Sequence, residues 1–253
     1  MVPEDIITGN ITKFLMIFLR MSVFLSFTPV IGGASLPGRF RIGLAVALAL
    51  LLTPVVELKA GSDGVAVMIL REIVFGVVLG LAVRFVFVGI EMGGQAISYS
   101  MGMSLATIYD PEFGQLTDIS QFLSIVATLI FLATDCHHEL IALFARSFEW
   151  APFGASDPAV MAREGIALVG KIFIVGAKVG APIIVGTITL NILLGFIVKA
   201  TPQINIFFIG FPLYISLGFF ILLLALPAYV VLIGGSFSEM RLEVERIIGM
   251  AGR

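Results

Sequence analysis

VAVMILREIVFGVVLGLAVRFVFVGI, residues 65–90, is an apolar run long enough to cross a bilayer, yet it carries Arg71, Glu72 and Arg84 in its interior. A membrane span needs about 20 apolar residues. A lipid-facing charge near the bilayer centre costs roughly 2.5–3.5 kcal/mol on insertion scales, so such charges meet one another, a partner or water. The same conflict recurs along the chain, where Arg20 interrupts the first apolar block and Lys171 and Lys178 interrupt the fifth. Segments of this kind point to assembly or transport and not to lone lipid-facing helices.

Outward from this run, apolar blocks extend from Phe14 to Ile31, Ile42 to Val56, Ile119 to Ala133, Ile166 to Val198 and Ile204 to Ile233. The blocks at Ile42 and Ile119, at about 15 residues each, fall short of a full span; they read as hairpin arms, re-entrant pieces or helices sheltered by other subunits. The block from Ile166 is too long for one upright span and contains Pro182, which removes a backbone donor and kinks or divides a helix. The fold class is therefore all-α, a polytopic membrane-associated helical protein with about five to six crossings. Connectors at Gly32–Gly38, Ala60–Gly64, Ala151–Pro158 and Thr201–Pro202 are too short to separate domains, so residues 1–253 read as a single helical domain.

Composition agrees. The chain is 59% apolar and 13% charged, with a mean hydropathy of +1.11, whereas soluble domains carry about 25% charged residues. A net charge of −2 leaves no basic patch, so no nucleic-acid partner is expected. The single cysteine, Cys136, cannot form an internal disulfide. Glu4 and Asp5 stand where a signal peptide requires positive charge, so the first helix reads as part of the mature protein.

Sites of chemistry are few. Asp135, Cys136, His137, His138 and Glu139 are all potential metal ligands, but consecutive residues on a helix point about 100° apart and cannot all face one ion. The cluster reads as a polar helix end, with a metal site as the alternative. Nucleophile-elbow, zincin, Walker and dinucleotide-binding signatures are missing from the sequence, so neither an enzyme nor a cofactor is expected. Glycines four apart occur at Gly76 and Gly80, Gly89 and Gly93, and Gly176 and Gly180; such spacing lets helix backbones approach closely where lipid offers no hydrophobic drive. Lys171 and Lys178 share a helix face that meets acidic groups, carbonyls or water, or else snorkels to an interface. The run from Met92 to Tyr109 holds no charge and is rich in Gly, Ser, Thr and Met before it breaks at Asp110, Pro111, Glu112, Phe113 and Gly114. That break is either a loop able to obstruct a pore or an ordinary solvated turn.

Four strings in order carry a more specific signal: FLRMSVFLSFTPVIGGASLPGRFRIGLAVAL at 18–48, REIVFGVVLG at 71–80 leading into GGQAISYSMGMSLATIYDP at 93–111, CHHELIALFARSF at 136–148, and TPQINIFFIGFPLYISLG at 201–218. Together they resemble the FliR family of type III secretion export-gate proteins, across nearly the whole chain. The resemblance implies a non-enzymatic subunit built from kinked helical hairpins, joining FliP and FliQ homologues in the flagellar basal body at the bacterial inner membrane. FlhB and FlhA homologues are implied as further partners, and unfolded flagellar proteins as the exported substrates.

The resemblance also assigns positions. Asp110, Pro111, Glu112, Phe113 and Gly114 belong to a plug loop, and Met101, Gly102 and Met103 to the pore lining. Gly102 and Gly114 would let the plug move. Subunit packing falls to Arg20, Arg71, Glu72, Gly76, Gly80, Arg84, Lys178, Pro202, Asn205, Phe207 and Pro212. Two alternatives accompany this reading: a virulence-type secretion gate of the same fold, and a secondary transporter with a substrate site around Pro182 and Asn191.

Overall fold

The computed structural model describes residues 4–28, 37–56, 64–103, 118–201, 203 and 206–252. Every regular element among them is helical: α1 (Glu4–Phe27), α2 (Gly38–Leu52), α3 (Val65–Ser100), α4 (Asp118–Ala133), α5 (Cys136–Trp150), α6 (Pro158–Ala200) and α7 (Ile206–Ala251). Four of these, α1, α3, α6 and α7, are long and apolar enough to cross a membrane; the α4–α5 pair, bent by 67°, makes a fifth if it forms one span. The expected all-α polytopic class holds, with four to five candidate spans among the described residues against the five to six crossings expected.

Several helices outrun their apolar blocks. α7 continues through EMRLEVERIIGMA because these residues are strong helix formers even though they are polar. α3 continues past Gly93 and Gly94 to Ser100. α6 stays continuous through Pro182, so the proline does not divide it. The turn before Pro182 receives an outside donor, since the Tyr229 hydroxyl donates to the Val179 carbonyl at 2.8 Å. The carbonyl that Pro182 leaves without its backbone donor is that of Lys178, one residue earlier, so this contact lies beside the lost bond and does not replace it.

The chain forms two compact units. The first comprises Met1–Phe85, Asp135–Gly170 and Phe237–Arg253. In it α1 packs on α2 and on the first half of α3, where glycines permit the approach. A Cβ on Gly76 would lie 3.2 Å from Val23 Cβ, and one on Gly80 would lie 2.5 Å from Phe27 Cβ. α5 buries Cys136, Leu140, Leu143, Phe144, Ser147 and Phe148, a stripe at three- and four-residue spacing. Phe144 meets Phe24 of α1 with the rings tilted by 33° and their centroids 4.9 Å apart.

The second unit comprises Val86–Thr134 and Lys171–Ser236. Here the second half of α3 packs against α6 through the two remaining glycine pairs. A Cβ on Gly89 would come within 2.7 Å of Val175 Cβ, one on Gly93 within 2.7 Å of Val179 Cβ, and Gly176 sits beneath Met92. α6 and α7 form an antiparallel hairpin, for Val179 meets Tyr229, Gly186 meets Ile221, and the Tyr214 hydroxyl donates to Asn191 Oδ1. α4 crosses α3 with its Ser120 backbone against Gly94, where a Cβ would lie 2.5 Å from Ser120 Cα.

Candidate functional site

The interior of the first unit answers the charge problem posed by residues 65–90. Arg20 and Glu72 are each 1% exposed. Arg20 grips Glu72 with two parallel hydrogen bonds, Nε to Oε2 at 2.6 Å and Nη2 to Oε1 at 2.9 Å. The rest of the guanidinium is spent on α5 and the turn after it: Nη1 donates to the Ser147 carbonyl and hydroxyl, both at 3.2 Å, and Nη2 to the Ala151 carbonyl at 3.1 Å. Phe148 and Phe75 lie over the guanidinium at 4.3 and 4.7 Å.

The carboxylate is equally engaged. Glu72 Oε1 also accepts from the Gly154 backbone N–H at 3.0 Å. Gly154 has φ +75°, a left-handed conformation that glycine adopts without Cβ strain. Its carbonyl accepts from Arg71 Nη1 at 2.6 Å. One ion pair therefore ties α1, α3, α5 and the 151–154 turn together. Burying two charges costs nearly what their attraction returns, but removing either partner strands the other, at about 3–5 kcal/mol.

This arrangement changes the reading of several positions. The resemblance set Arg20 and Glu72 against neighbouring subunits; inside the chain they satisfy one another, because a bidentate pair leaves the guanidinium and carboxylate no free valence to offer outward. Gly76 and Gly80 likewise face α1 of the same chain. Arg84 and Lys178 are exposed and make no ion pair among the described residues, whereas Lys171 is half-buried. Pro212 is exposed inside α7.

The positions expected around a pore divide similarly. Asp110, Pro111, Glu112, Phe113 and Gly114 lie outside the described residues, as do Pro202 and Asn205, and Phe207 is described only as backbone of α7. α3 ends on Gly102 at φ +79°: its N–H returns to the Tyr99 carbonyl and that of Met103 to the Ser98 carbonyl, both at 3.0 Å. This is a Schellman stop, which needs the left-handed residue that glycine supplies. Met101 is fully buried against Gly218, where a Cβ would lie 2.5 Å from the Met101 sulfur. Gly102 and Met103 are half-buried.

The polar cluster at 135–139 lies at a helix end, as expected. Asp135 is not helical but left-handed, at φ 55°, and sits at the break between α4 and α5. The reversal lets Asp135, His137 and His138 bring one ligand atom each within 4.8 Å of one another, which a continuous helix would not allow. The site is largely exposed; Asp135 Oδ1 already contacts His138 Nδ1 at 3.3 Å, and Glu139 turns away to Arg241 at 3.0 Å. At most three donors are available to an ion. The transporter alternative loses its broken helix, since α6 is continuous and Asn191 accepts a hydrogen bond from Tyr214.

Two contributors escaped the sequence reading. α5 was missed because charged residues interrupt its apolar positions, so no continuous apolar block marks it. Gly154 lies in a connector with no local signal beyond its glycine.

Residues 11–240 match the bacterial export proteins, family 1. The chain is 34% identical over 224 residues to the flagellar biosynthetic protein FliR of Pectobacterium carotovorum subsp. carotovorum, covering 86% of this chain and 85% of the relative. It is 26% identical over 247 residues to FliR of Bacillus subtilis (strain 168), covering 94% and 95%. With FliR of Escherichia coli (strain K12) it shares 28% identity over 227 residues, or 88% and 87% of the two chains. With a family match spanning residues 11–240, most of its length, the chain belongs to the bacterial export proteins, family 1.

Proposed function

We propose that this chain is a non-enzymatic subunit of the flagellar type III export gate, acting as one unit over residues 1–253 in the bacterial inner membrane. It packs with FliP and FliQ homologues in the basal body, in reach of FlhB and FlhA homologues. Unfolded flagellar proteins pass through the pore that these subunits enclose.

The supporting observation is an outer face of α6. Ile174, Lys178, Ala181 and Val185 follow one another on one side of the helix and are all exposed. Lipid rejects a lysine in such a row at this depth of an apolar helix, so the face is covered by protein or water. Only 17% of the most apolar stretch of α6 and 22% of that of α7 is buried within the chain, against 67% for α3. The chain thus carries a finished interior and unfinished outer faces, as an assembly subunit does. Arg84, Lys178 and Pro212 sit on those exposed surfaces, and Pro202, Asn205 and Phe207 complete the proposed packing set.

Gating in this reading is steric. Phe113, within the loop Asp110–Gly114, blocks the lumen, and Gly102 and Met103 line the approach to it with Met101 anchoring the stop behind them. Deleting Glu112–Gly114 raises ion leakage through the assembled gate; unchanged leakage removes the plug from the account. For the assembly itself, native mass spectrometry after co-expression with the FliP and FliQ homologues is decisive. A discrete complex carrying this chain supports the reading, and a monodisperse particle of this chain alone overturns it.

A further inference from the structure

Glu91 is the second carboxylate of α3, half-buried in an otherwise apolar stretch of the second unit. No basic side chain among the described residues pairs with it. Its nearest polar companion, Ser124 Oγ, stands at 3.5 Å. The Ser120 hydroxyl, one turn earlier on α4, is committed to the Glu91 backbone carbonyl at 3.0 Å. These groups and Gln121 line a cavity of about 220 Å³ whose outer rim is Ile125 and Leu129, 54% and 61% exposed.

A carboxylate at the floor and aliphatic side chains at the rim match a long cationic side chain, whose methylene stem lies on apolar surface while its head reaches the charge. A bare inorganic cation has no use for the rim, and it would find only one carboxylate and a few hydroxyls, fewer oxygens than such ions gather. We propose that this notch receives a lysine or arginine side chain from a neighbouring subunit of the gate, forming an intersubunit ion pair with Glu91. The proposal rests on the assembly reading above. It supplies Glu91 with the counter-charge that Glu72 finds inside the chain.

The test compares wild type, Glu91→Gln and Glu91→Lys, with Glu245→Gln at an exposed position as control, each co-expressed with the partner subunits. Truncating one member of a desolvated pair weakens an interface by a factor of about ten or more, so E91Q lowers the recovered complex about ten-fold and E91K further, while E245Q assembles as wild type. Thermal midpoints of the isolated variants stay at the wild-type value. Equal recovery for all four proteins overturns the proposal, as does a matching fall in the midpoint of isolated E91Q, which would make Glu91 an internal structural group. A midpoint of the isolated wild-type chain that rises with added NaCl, KCl or MgCl₂ and does so only with Glu91 present would assign the notch to a free cation and overturn it too. Failure of even the wild type to form a complex sinks the assembly reading instead.

Discussion

Glu72 and Glu91 stand on the same helix, both inside an apolar stretch, and their surroundings could hardly differ more. Glu72 is 1% exposed and accepts from Arg20 twice and from the Gly154 N–H. Glu91 is half-buried, meets one hydroxyl at 3.5 Å and opens onto an apolar-rimmed cavity. The contrast teaches how to sort charges in apolar helices. A charge whose hydrogen-bonding capacity is filled by its own chain builds the subunit; a charge left with capacity to spare, on a face that also exposes large apolar side chains, belongs to the assembly.

Breaking the inner pair gives the largest effect. Arg20→Ala or Glu72→Ala leaves a buried partner uncompensated and lowers the stability of the isolated chain by about 3–5 kcal/mol, read from thermal unfolding in mild detergent. The double variant Arg20→Met with Glu72→Met recovers much of that loss, because well-packed apolar side chains often replace a buried ion pair at little cost. Additive losses in the double variant would mean that the pair is not the unit of structure.

Close packing around α3 ranks next. Gly80→Leu must displace Phe27, whose Cβ would lie 2.5 Å from the new Cβ, and overpacking of this kind costs about 1–3 kcal/mol. Gly43→Ala, with nothing within 4 Å, gains up to about 1 kcal/mol from helix propensity. Chemical denaturation of the two variants separates the clash from propensity. A smaller loss follows from Tyr229→Phe, which removes the hydroxyl bonded to the Val179 carbonyl and costs about 1 kcal/mol; it is read as a lower thermal midpoint. Smallest of all is Glu91→Gln, which moves the isolated chain by less than about 0.5 kcal/mol, as for substitutions away from internal networks.

Much of this was legible in the residues. Apolar length placed α1, α2, α3 and α4 to within a turn or so at most ends, and the three glycine pairs are where helices meet, because removing side chains along one ridge has few other uses. The demand that Arg20, Arg71 and Glu72 find partners was also readable; that Arg20 and Glu72 find each other was not, since the pair joins residues 52 apart in sequence. α5 hid because Glu139, Arg146 and Glu149, all exposed, interrupt its apolar positions, and its buried stripe begins only at Cys136. At 135–139 the five potential ligands do not all face one point, as helix angles require, although the left-handed Asp135 was not anticipated. Pro182 sits inside a continuous α6, so of the two outcomes expected for it, a kink or a division, division does not occur.

Thermal unfolding of Glu72→Gln and Glu91→Gln, each alone and each assembled with its partner subunits, tests this division of charges most directly. The account predicts that E72Q lowers the midpoint of the isolated chain and of the complex, whereas E91Q leaves the isolated chain unchanged and lowers only the complex. An isolated E91Q chain that falls as far as E72Q, or an isolated E72Q chain that unfolds at the wild-type temperature, would contradict it.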